Sequence, residues 1–110
     1  MHVQKRHIIE YTDSGRFNYN QDNFTDILCY LGMDYYSSED RIEIEKKEVF
    51  GGLVKLETLN NREEDGSVDR ESLEECLDEI DMTLQELIDL FKWLLKNSDP
   101  DNEYIFLDWF

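Results

Sequence analysis

The chain has 110 residues, 40% of them hydrophobic and 35% charged, and a formal net charge of -16. That length fits one core and excludes two, so residues 1–110 are expected to form a single domain with a heavily charged exterior. The charge far exceeds the magnitude of about 2 to 8 that solubility asks of a small domain, which disfavours nucleic acid or an anionic membrane as direct partners and favours a basic protein surface, with metal cations as a further class.

Val3 to Tyr11 reads as a strand, Asp13-Ser14-Gly15 as a turn, and Arg16 to Tyr19 as the return strand of a hairpin. Asn20 to Leu31 reads as a helix, with Phe24, Ile27, Leu28 and Leu31 at helical spacing and Gly32 as its terminating residue. Met33 to Asp40 is a connection that carries Tyr35 and Tyr36, either a contact patch or a small aromatic cluster under the loop. Arg41 to Phe50 and Leu53 to Leu59 read as a second hairpin across Gly51-Gly52. That register sets Glu48 opposite Lys55, Lys46 opposite Glu57 and Ile44 opposite Leu59.

Asn60 to Val68 is a polar loop containing Glu63, Glu64 and Asp65. Asp69 to Ile80 reads as a short helix, and Thr83 to Lys96 as a stronger one that opens with a Thr83/Glu86 capping box. Pro100 stops it, and Glu103 to Phe110 is a C-terminal strand. The expected order is β-β-α-β-β-α-α-β. That is an α+β domain with an antiparallel sheet of about five strands and about three helices.

The charge is uneven. Residues 1 to 36 hold five acids against three bases, whereas Glu63 to Asp89 hold twelve acids against one base, Arg70. On a helical wheel, Leu73, Cys76, Leu77 and Ile80 form an apolar stripe, and Glu71, Glu74, Glu75, Asp78 and Glu79 fill the opposite arc. Glu71, Glu75 and Glu79 stack at successive turns, and Glu74 and Asp78 stack beside them. Each like-charged i,i+4 pair costs about 0.2–0.5 kcal/mol. Asp78 and Glu79 also oppose the dipole at the helix C-terminus. Local stability therefore argues against this arrangement. An ordinary solvated face mixes Glu with Lys, and this one does not.

Five carboxylates over roughly 12 Å of helix give one charge per about 2.4 Å, against one per about 1.7 Å in duplex DNA. A groove built for a phosphate backbone could accept such a helix. Asp81, with Glu63, Glu64 and Asp65, would extend the surface. Trp93 falls outside the apolar arc of its helix, among Glu86, Asp89 and Lys96. It is either an anchor for an Arg-rich partner or a residue covered by the 60–68 loop or the last strand.

No catalytic constellation stands out, and no cofactor or metal site is expected. His2 and His7 lie on a terminal strand, and no Gly-rich phosphate loop is present. Asp99, Asp101 and Glu103 alternate like part of a calcium loop but lack its turning Gly and distal Glu. Cys29 and Cys76 sit at apolar helix positions without metal-ligand spacing and are expected to be buried free thiols. No apolar stretch follows Met1 and no run approaches the roughly 18 apolar residues of a membrane span, so a cytoplasmic location is expected.

With its size, its carboxylate helix and its lack of catalytic residues, the chain resembles two groups of inhibitors. One is phage proteins that block host defence nucleases, such as anti-CRISPR proteins and other DNA mimics. The other is immunity proteins that neutralise nuclease toxins. The resemblance implies a non-enzymatic inhibitor that occupies a cationic nucleic-acid-binding surface. From a different class comes an acidic structural or adaptor subunit, a homo-oligomer using the Glu103–Phe110 strand as an exposed edge; the self-repulsion of the chain disfavours it. Halophilic adaptation would spread the acids evenly, and residues 1 to 36 are nearly balanced.

Overall fold

The computed structural model describes residues 2–3, 21–38, 41–61, 66, 68–98 and 100–108. Their elements in chain order are β1 (His2–Val3), α1 (Gln21–Tyr30), β2 (Tyr36–Ser38), β3 (Arg41–Glu45), α2 (Lys46–Asn60), α3 (Arg70–Glu79), α4 (Leu84–Asn97) and β4 (Tyr104–Asp108). The class is α+β. Among the described residues there are four helices rather than about three, and an antiparallel sheet of three strands edged by the two-residue β1 rather than about five strands. The expected first hairpin lies outside the described residues except for His2–Val3.

The sheet order is β1-β4-β3-β2. Residues in β3 alternate, with Ile42 and Ile44 buried and their neighbours partly exposed, as a strand with one covered face requires. Their cross-strand partners are Leu107 and Ile105, which are also fully buried, so the inner face is a block of branched apolar pairs. On the outer face Glu43 lies opposite Phe106, and the Arg41 guanidinium stands 5.8 Å from the Phe106 ring centre. β4 is paired on both sides, with β1 and with β3. β1 covers it only at Leu107 and Asp108.

The second expected hairpin does not form. Residues 46–60 are the helix α2, and Gly51-Gly52 lies in its middle. Val49, Leu53, Leu56 and Leu59 recur at helical spacing and are all buried, which a strand of alternating period could not achieve. The two glycines disfavour a helix by about 1 kcal/mol each. Gly52 has a packing reason: a Cβ there would stand 2.6 Å from Met33 Sδ and 3.1 Å from Phe91 Cε2. The expected Lys–Glu ladder is absent as well. Lys55 Nζ donates to the Leu31 carbonyl at 2.8 Å, capping the C-terminal end of α1, and Glu57 lies 3.7 Å from Lys92 of α4.

The helices pack as two pairs, α1 with α3 and α2 with α4. Both pairs run antiparallel: Asn60 of α2 bonds Gln85 at the start of α4, and Asp69 before α3 bonds Tyr30 at the end of α1. Phe24, Ile27, Leu73, Leu56, Leu87 and Phe91 belong to one continuous core with the inner sheet face. No described helix is long and apolar enough to cross a membrane.

Candidate functional site

The carboxylate helix is held from both ends. Asp69 is its N-cap, with Oδ1 accepting from the Ser72 amide at 3.2 Å. The Asp69 amide donates to the Tyr30 carbonyl at 3.1 Å, which ties the start of α3 to the end of α1. At the other end Asp81 adopts φ 53°. Its amide bonds Asp78 O and the Met82 amide bonds Leu77 O, the paired closure of a Schellman motif. Gly32 closes α1 in the same way, with φ 69° and with Met33 donating to Leu28.

Between those ends the stripe Leu73, Cys76, Leu77 faces inward and is buried, followed by Ile80 at the cap. Cys76 Sγ donates to the Asn23 carbonyl of α1 at 3.7 Å. Burial, then the charges of Asp26 and Glu79, push the Cys76 thiol above its ordinary range, so it is not an activated nucleophile. Cys29 is also a free thiol but is exposed, contrary to the expectation for it, because α1 buries Phe24, Ile27 and Leu28 on its opposite face. Its Sγ lies 3.6 Å from the Tyr35 hydroxyl, and this contact, followed by burial, raises the Tyr35 phenol. Tyr30 is raised by loss of hydration and by nearby Asp26.

Glu71, Glu74, Glu75, Asp78 and Glu79 are all exposed. A single basic side chain of the helix interrupts the array: Arg70 Nε lies 3.0 Å from Glu74 Oε1, so Glu74 does not meet acids alone. Both partners are about half exposed, which places the pair among surface bridges worth about 0–1 kcal/mol. Glu71, Glu75, Asp78 and Glu79 keep like-charged i,i+4 neighbours. The arrangement can attract and orient cationic groups. It holds no nucleophile paired with a base.

Asp81 is exposed and continues from the C-terminal end of this face, where it also serves the backbone as a cap. Glu63, Glu64 and Asp65 lie outside the described residues. Trp93 is half-buried against the core on α4, and its carbonyl accepts from Asn97 Nδ2 at 2.9 Å. It belongs to the other helix pair from the acidic face. Tyr35 packs partly against the core, whereas Tyr36 is 66% exposed at the sheet edge.

Clefts bounded by described residues also lie away from this face. One of about 450 Å3 is bounded by Glu45, Lys46, Lys47 and residues 100–103, with Lys47 Nζ 3.2 Å from Glu45 Oε2. The Glu45 charge raises the Tyr104 phenol, and its hydrogen bond raises the Lys47 ammonium. A smaller one of about 160 Å3 is bounded by Tyr36, Ser37, Arg41 and Glu43. No residue of α3 lines either cleft. Among the described residues no group of three or more His, Cys, Asp or Glu is placed to hold a metal ion. The reading of 46–59 as a hairpin also hid an exposed apolar pair, Phe50 and Val54 on α2; their separation by four residues was the signal. Comparison with known protein families, curated proteins and solved structures finds no match to this chain.

Proposed function

We propose that the chain is a cytoplasmic, non-enzymatic inhibitor that binds the cationic nucleic-acid-binding surface of a target enzyme by presenting nucleic-acid-like charge. Within that class the reading is a phage anti-CRISPR or related anti-defence protein. It rests on one observation: five carboxylates lie exposed along one face of α3, with Arg70–Glu74 as the single ion pair within the helix. Lys and Arg of the partner would meet these carboxylates where they otherwise meet phosphates, with fast and salt-sensitive association.

The direct test replaces Glu71, Glu74, Glu75, Asp78 and Glu79 by Gln together. The apolar face and the Asp69 cap are untouched, so the circular dichroism spectrum should persist. Capture of a nucleic-acid-binding enzyme from host lysate, and inhibition of it, should vanish. Inhibition that survives the five substitutions would sink the proposal. A single toxin nuclease as the captured partner would move the reading to an immunity protein.

A further inference from the structure

The carboxylate face of α3 leaves the outer face of α2 without a role. Phe50 and Val54 on that face are 61% and 51% exposed. Lys47 precedes Phe50 by three residues and Glu57 follows Val54 by three, so Lys47, Phe50, Val54 and Glu57 follow the three-four-three spacing of a coiled-coil seam. The side chains of Lys47 and Glu57 are 77% and 48% exposed. Gly51 adjoins the seam. A Cβ there would meet nothing within 4 Å, so packing inside the chain does not ask for glycine, although glycine weakens a helix interior.

We propose that α2 pairs antiparallel with α2 of a second copy of this chain across a two-fold axis. In an antiparallel pair the two seam positions face each other. Phe50 then packs on the partner's Val54, and Lys47 meets the partner's Glu57, each contact occurring twice by symmetry. The charges at the two ends of the seam are thus complementary to themselves, and they select this register over a parallel one, in which Lys47 would face the partner's Lys47. Gly51 lets the backbones approach beside the seam. The existing surface pairs of Lys47 with Glu45 and Glu57 with Lys92 are weak enough to be shared or exchanged. α2 is also suited to the task by charge: it carries Lys46, Lys47 and Lys55 against Glu48 and Glu57, whereas α3 carries five acids against Arg70.

Sedimentation equilibrium of the full chain across the micromolar range tests this. The expected mass is twice 13.2 kDa, falling to one chain for Phe50→Asp with an unchanged circular dichroism spectrum. Lys47→Glu and Glu57→Lys should each weaken the dimer by about tenfold or more, and the double reversal should recover it. The variant with five α3 glutamines should remain dimeric, which separates this proposal from the inhibitor reading. A one-chain mass for the unaltered protein at every concentration overturns it. So does a dimer that Phe50→Asp leaves intact, or a double reversal no tighter than the singles.

Discussion

α2 and α3 meet the same physical demand on their inner faces and differ on their outer ones. Each buries an apolar stripe, Val49, Leu53, Leu56 and Leu59 in one and Leu73, Cys76 and Leu77 in the other. Outward, α3 presents carboxylates, and α2 presents an aromatic and an aliphatic side chain between a lysine and a glutamate. Burial dictates the inner residues. Nothing in the fold dictates the outer ones, and both outer faces cost something in an isolated chain: like-charge repulsion on α3, exposed apolar surface on α2. An outer face that opposes the stability of its own helix points to a task outside the fold.

The largest expected effect lies on the shared feature. Leu73→Ala removes a fully buried side chain and should lower unfolding free energy by about 2–5 kcal/mol in denaturant titration. A loss under 1 kcal/mol would mean that α3 is not seated on α1 as described. Next comes the pair of glycines in α2. Gly52→Ala should destabilise by about 1–3 kcal/mol, because its Cβ would press on Met33 and Phe91. Gly51→Ala, measured in the monomeric Phe50→Asp background, should stabilise by about 0.5–1 kcal/mol, because its Cβ enters open space. Equal effects at the two positions would mean that their surroundings do not differ.

Glu75→Gln tests the outer face of α3. It removes the repulsion of Glu75 with Glu71 and with Glu79, and should raise stability by about 0.4–1 kcal/mol at low salt, with less gain as salt screens the charges. The smallest effect is expected at alkaline pH. The Cys76 thiol is raised by burial, so above pH 9.0 the unfolded chain ionises first and the fold loses stability. Lys47 is raised by Glu45, so its contribution is complete below pH 10.5 and disappears as pH passes its higher folded value. Both act in the same direction. Thermal melts should therefore show falling Tm from about pH 9 upward, and Cys76→Ser should blunt the onset.

Local chemistry was enough to read α1, α3 and α4. The Thr83/Glu86 box and the Gly32 terminus act through hydrogen bonds that span a few residues, and the apolar period of each helix is unbroken. The carboxylate arc of α3 followed from the same period, since its apolar stripe determines which residues face outward. What the sequence could not decide was everything that depends on a distant neighbour. Gly51-Gly52 is turn chemistry on its own terms, and becomes helix because Met33 and Phe91 need the space at Gly52 while four apolar residues bury together. Trp93 is half covered, Cys29 is exposed, and β4 pairs with β3 along its whole length and with β1 at Leu107 and Asp108, each because another element does or does not pack there. Capping and periodicity are short-range and are written in neighbouring residues; burial of a shared face is a property of the whole chain, and only the tertiary structure decides it.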